Sequence, residues 1–146
     1  MKRIINTPHA PGAIGPYSQA VEVNGMLFVS GQIALDPATG ELCSGGTATQ
    51  TEQVCKNLKA ILIEAGYTFA DVVKTTVLLA NMDDFAAMNV VYAKYFTKEK
   101  PARAAFQAAK LPRGANVEIE LIAVKPPHQA PQVPPFRLVE DDILSD

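Results

Sequence analysis

Two runs of apolar patterning, QAVEV at 19–23 and MLFVSGQI at 26–33, meet at the dipeptide Asn24-Gly25. Asn-Gly supplies both positive-φ positions of a type I′ turn, whose twist matches that of paired strands. The two runs are therefore expected to form an antiparallel hairpin, and every other element must be fitted around it.

Beyond the hairpin the period changes. DPATGE at 36–41 reads as a turn of Asp, Pro and Gly. Thr49 and Glu52 stand three apart, as in a capping box. Val54, Leu58, Ile61, Leu62 and Ala65 then recur at helical spacing until Gly66 stops the helix. VVKTTVLLA at 72–80 is rich in β-branched residues and reads as a strand. Asp83 or Asp84 is placed to cap a second helix, with Phe85, Met88, Tyr92, Tyr95 and Phe96 as its apolar stripe. ARAAFQA at 102–108, a turn at LPRGAN, and VEIELIAVK at 117–125 complete the series. With a short first strand near Arg3–Asn6, the order is β-β-β-α-β-α-β-β, an α+β fold with two helices on one face of a mixed sheet. Two helices cover one face only, so the other face calls for a partner, and a homo-oligomer is expected.

Residues 1–125 are read as a single domain. At 126 the composition changes: 126–135 hold five of the eleven prolines. So many missing donors argue for an extended or disordered tail over 126–146, either a passive appendage or a regulatory one. The tail sets Arg137 against Glu140, Asp141, Asp142 and Asp146; since the whole chain carries −2, residues 1–125 carry +1. That balance gives no basic footprint for nucleic acid. No apolar run approaches the roughly 18 residues of a membrane span, and the first twelve residues lack a signal-peptide core. Cys43 and Cys55 make no disulfide framework, which points to a cytoplasmic home or an organelle matrix. His9 and His128, the only histidines, have no metal-ligand spacing, so no metal site is expected.

The candidate chemistry starts from alternation along strands. Arg103, Ala105 and Gln107 share one face of their strand, and Glu118 and Glu120 share one face of theirs. If the strands at 102–108 and 117–125 pair, a guanidinium and two carboxylates converge. Two readings fit: an interstrand ion pair, or a pocket where arginine clamps an anion and a carboxylate moves a proton. Tyr17 follows a Gly-Pro turn. Gly31 is either a bulge or a place of close approach. No histidine is placed to activate Ser30, so a nucleophilic serine is not expected.

Taken together, APGAIGPYSQAV (10–21), FVSGQIALDPATGEL (28–42), NLKAILIEAG (57–66), KPARAAF (100–106) and LPRGANVEIELIAV (111–124) resemble the YjgF/Rid family of imine deaminases, RidA type. The similarity spans about 6–125 and leaves the tail outside. It implies a chorismate-mutase-like fold, a homotrimer with sites at subunit interfaces, and no cofactor. It also implies hydrolysis of 2-iminobutanoate, 2-iminopropanoate and similar imines or enamines, released by pyridoxal-phosphate enzymes, to 2-oxo acids and ammonia. By the same resemblance Arg103 pairs with the substrate carboxylate and Glu118 handles the attacking water. Tyr17 lines the cleft, Ser30 and Gly31 touch the substrate, Asn89 adds a polar contact, and Phe85 adds an apolar wall. Many members carry cysteine two residues after the arginine. Ala105 stands there, which excludes a thiol step but leaves the backbone carbonyl that the resemblance uses. The alternative is a non-catalytic trimer that binds small carboxylates or partners; relatives are also associated with ribonuclease or chaperone-like roles.

Overall fold

A computed structural model describes residues 1–125, and the tail expected over 126–146 lies outside the described residues. The elements follow the expected order: β1 (Arg3–Ile5), β2 (Ala20–Val23), β3 (Met26–Gln32), α1 (Thr47–Ala65), β4 (Val72–Leu79), α2 (Phe85–Tyr95), β5 (Ala102–Gln107) and β6 (Val117–Val124). The hairpin forms as its turn dictates, with Val23 opposite Met26 and positive φ at both Asn24 (51°) and Gly25 (73°).

All six strands form one sheet in the order β1-β2-β3-β6-β4-β5. Only β4 and β5 run parallel, and α2 is the crossover that such a pair requires. Leu27, Val29, Val77, Leu79, Val117, Ile119, Leu121 and Ala123 point to one face and are buried there. Both helices cover that face. Val54, Leu58, Ile61, Leu62 and Ala65 of α1 are buried, as the spacing foretells, beside Met88, Tyr92 and Phe96 of α2. Truncating any one fully buried Leu or Ile here removes about 2–5 kcal/mol. On the opposite face Met26, Phe28 and Phe106 are 37%, 40% and 51% exposed. They stand at the two sides of this uncovered face, Met26 and Phe28 on β3 and Phe106 on β5, with β6 and β4 between them.

Both helix starts differ from the expectation. Helix α1 begins at Thr47 behind Gly46, two residues before Thr49, and no side chain caps it. The Thr49–Glu52 capping box does not form because the Gly45-Gly46 pair lets the chain turn in early; the hydroxyl of Tyr95 donates to Glu52 instead. At α2, Asp84 occupies the cap position without capping, since its carboxylate accepts from Thr47 Oγ1 at 2.9 Å. That bond ties the two helix starts together. Asn81 caps the preceding 3-10 turn (Met82–Asp84), its side chain accepting from the Asp83 N–H. Gly66 ends α1 in the left-handed conformation, as expected.

Candidate active site

The β3–β6 pairing breaks register between Val29 and Gln32, and this irregularity opens a cleft of about 630 Å³ at the end of the sheet. Tyr17, Ser30, Gly31, Glu118 and Glu120 all line it, with Ile14, Ile33 and Leu35 as apolar wall. Gly31 satisfies both of its sequence readings. It sits in the bulge, and a Cβ placed there would lie 2.5 Å from Glu118 Oε1 and 3.0 Å from Cδ. Only glycine lets this carboxylate lie flat on the strand. Ser30 is fixed rather than poised: its Oγ donates to the Ser18 carbonyl at 2.6 Å. Tyr17 is 52% exposed at the mouth, and its hydroxyl accepts from the Ile14 N–H at 3.4 Å.

Glu118 is half-buried, and no hydrogen bond or cation within its own chain stabilises its charge among the described residues. Burial pushes its carboxyl above the ordinary value, and the neighbouring Glu120 charge adds to the push. Such a carboxylate holds a proton more readily than a free one and is the better general base near neutral pH.

Arg103 lies elsewhere. It is on the edge strand β5, in register with buried Thr75 of β4, and so faces the helices. Its Nη1 donates to Asn89 Oδ1 at 2.7 Å. Its guanidinium carbon stands 5.3 Å from the ring centre of Phe85 and 4.8 Å from that of Tyr92. Ala105, two residues on, packs half-buried against the core. Arg103, Asn89, Phe85 and Ala105 thus form one group, and Tyr17, Ser30, Gly31 and Glu118 form another.

The convergence expected from pairing of 102–108 with 117–125 does not occur within one chain. Strand β4 lies between β5 and β6. Glu118 and Phe106 are both in register with Leu78, on the face opposite Arg103. The interstrand ion pair is therefore excluded, and Arg103 makes no ion pair among the described residues.

Three cleft or site-supporting residues were not singled out by the sequence. Gln19, fully buried, accepts from the Thr7 N–H at 2.7 Å and donates to the Thr7 and Pro11 carbonyls at 3.0 and 2.9 Å. It pins the 7–12 segment that forms one wall. Arg113 lines the cleft at a left-handed φ of 56° and donates to the Gly40 carbonyl at 2.7 Å. Tyr92, read only as core, carries the guanidinium. Gln19 and Arg113 stand inside PYSQA and LPRGAN, but nothing in those strings tells a hub from a solvated side chain.

A two-layer α+β domain with an uncompensated carboxylate over a strand bulge is a scaffold for small-molecule chemistry in a cleft. The profile of the Endoribonuclease L-PSP family, the YjgF/Rid group that the sequence resembles, matches residues 7–125, and the chain belongs to that family. It is 52% identical over 127 residues to human 2-iminobutanoate/2-iminopropanoate deaminase, covering 87% of this chain and 93% of the relative. Among solved structures, Thermotoga maritima TM0215 is 54% identical with a TM-score of 0.84, covering 86% of this chain and 99% of that one. Escherichia coli TdcF with bound serine is 42% identical with a TM-score of 0.80, covering 85% and 99%.

Proposed function

We propose that this protein hydrolyses reactive 2-imino acids, and the enamines in equilibrium with them, to 2-oxo acids and ammonia. The carrying observation is its 52% identity, across nearly the whole of the relative, to a human enzyme named for that reaction. The chemistry fits the cleft. A protonated imine is already electrophilic, so the site must orient it, place a water and accept one proton. Glu118 takes a proton as the water oxygen bonds to the imine carbon, returns it to the nitrogen of the carbinolamine, and then takes the hydroxyl proton as the C=O bond forms, the C–N bond breaks and ammonia leaves. Assistance of this kind is worth about 10²–10⁴-fold. Arg103 clamps the substrate carboxylate, and Tyr17, Ser30, Gly31, Asn89 and the Ala105 carbonyl complete the pocket. A carboxyl-bearing ligand suits that assignment, as the serine held by the E. coli relative also has one.

Because Arg103 and Glu118 lie on opposite faces of one sheet, a complete site requires Arg103 from a second copy. A homotrimer packed through the open face carrying Met26, Phe28 and Phe106 supplies it. Residues 1–125 make up the catalytic domain, with 126–146 as an appendage, in the cytoplasm or an organelle matrix where Cys43 and Cys55 stay reduced. Among the described residues no helix is long and apolar enough to cross a membrane. The test is ammonia release while an amino-acid oxidase generates imine in situ. Added protein should accelerate release, and Arg103→Ala and Glu118→Gln should abolish the acceleration with the fold intact. Equal rates with wild type and both variants would overturn the reading.

A further inference from the structure

Resting on the reading of Arg103 as the carboxylate clamp, we propose that Tyr92 is its positioning residue. Its ring, locked by a hydrogen bond to Thr75, sets the plane of the guanidinium fork.

Phe85, Asn89 and Tyr92 are spaced four and three apart on α2, so they form one stripe on its surface. All three meet Arg103. Asn89 takes Nη1, and the two rings stand 5.3 and 4.8 Å from the guanidinium carbon. With Nη1 engaged, the hydrogen-bond donors of Nε and Nη2 remain without a partner among the described residues. They lie along one edge of the fork, which is the arrangement that grips a carboxylate through two parallel bonds.

Tyr92 differs from an ordinary core aromatic. It is buried, yet it carries a hydroxyl that a phenylalanine would not have to desolvate. That hydroxyl is 2.8 Å from Thr75 Oγ1, and Thr75 is the residue paired in register with Arg103 on the adjacent strand. The same pair of strands therefore fixes both the arginine backbone and the ring that faces its side chain. On its other side Tyr92 stacks on Phe96 at 4.2 Å, so the ring cannot turn away. Burial also pushes the phenol above its ordinary value and keeps the ring neutral. A lone exposed arginine would sample many rotamers; held here, it loses little freedom when an anion arrives.

Tyr92→Leu should raise KM for the imino acid about fivefold to tenfold and leave kcat within about twofold, the size of one cation–π contact. The dissociation constant of the product 2-oxobutanoate, followed by NMR titration, should rise equally, while that of its uncharged analogue 2-oxobutanamide should not change. In an Arg103→Ala background Tyr92→Leu should cause no further rise in the dissociation constant of 2-oxobutanoate. Equal weakening of the acid and the amide, or full additivity with Arg103→Ala, overturns the proposal and leaves the clamp itself standing. If Arg103→Ala has no effect on kcat/KM, the clamp reading falls and this one with it. Should Tyr92→Leu not fold, Tyr92→Phe decides: it keeps the ring and frees it from Thr75, so KM should rise about twofold to threefold, and an unchanged KM overturns the proposal.

Discussion

Replacing Gly31 with alanine tests whether the position of the Glu118 carboxylate, rather than its mere presence, makes the cleft work. The backbone tolerates the change, because Gly31 is not among the positive-φ glycines. The added methyl instead meets Glu118, at 2.5 Å from Oε1, 3.0 Å from Cδ and 3.2 Å from Cγ. Contacts that short cannot persist, and what yields is the end of a flexible side chain rather than backbone. The carboxylate therefore swings off the strand while the sheet stays as it is. Overpacking costs about 1–3 kcal/mol in a rigid core, and a mobile glutamate places this site at the lower end. For a chain of this size about 1 kcal/mol lowers Tm by roughly 4 °C. The catalytic loss is larger, since a general base displaced by more than an ångström forfeits most of its roughly 10²–10⁴-fold contribution. We expect kcat to fall at least about 100-fold with Tm lowered by no more than about 5 °C. Ammonia release coupled to an amino-acid oxidase and a thermal melt measure the two. Glu118→Asp in the Gly31→Ala background shortens the carboxylate by one methylene and should recover part of the rate. Wild-type kcat in a well-folded Gly31→Ala protein would refute the base assignment of Glu118, because no carboxylate lies on Gly31 in that variant.

The remaining expectations concern charge, the wall of the cleft and the open face. Glu118 has a raised folded-state value, so the folded protein binds its proton more tightly than the unfolded chain does; the stability this contributes is complete at low pH and is lost as pH rises through the folded value. Glu118→Gln should therefore raise Tm relative to wild type near pH 8 more than near pH 4, and the reverse order in paired melts would count against it. Glu120→Gln removes the like charge that adds to the shift, so the acidic limb of the kcat/KM profile should move to lower pH. Gln19→Leu strands the Thr7 N–H and two carbonyls in a buried place, at a cost of about 2–4 kcal/mol readable by urea unfolding, and a loss under about 1 kcal/mol would deny Gln19 its role as clamp. If the proposed homotrimer packs through the open face, wild type should sediment as a trimer and Phe28→Glu as an inactive monomer; an active monomer would refute the shared site.

How much was legible depends on the range of the interactions. The hairpin could be read because one dipeptide decides it, and α1 and α2 because their apolar spacing is local. Strand adjacency could not. Strands β5 and β6 are consecutive, with residues 108–116 between them, which allows a hairpin, yet β5 pairs with β4 in parallel across α2. Alternation assigns residues to faces but does not say which strands are neighbours, nor which of the two faces is covered. That is why the resemblance points to Arg103 and Glu118 while strand alternation does not reveal that they lie on opposite faces of the sheet. Helix starts failed for a related reason: Thr49 and Glu52 have the capping spacing, but Gly45 and Gly46 decide where the chain turns.

The separation of Arg103 from Glu118 has a chemical consequence that favours a site over a structural pair. Neighbouring side chains of opposite charge would pair within the chain, lowering the glutamate toward its charged form and filling the arginine fork. Here the cation rests on a neutral amide and two rings, and the anion rests on a glycine beside another carboxylate. Among the described residues neither charge has a partner of opposite charge. For the half-buried Glu118 a charge without a partner is a standing cost, tolerable where a ligand or a second subunit provides the complement. An imino acid has what each half lacks, a carboxylate for the fork and an electrophilic carbon whose attacking water gives the glutamate a proton. In the proposed assembly the halves would meet with the substrate between them, so that the guanidinium takes the substrate's carboxylate instead of the base.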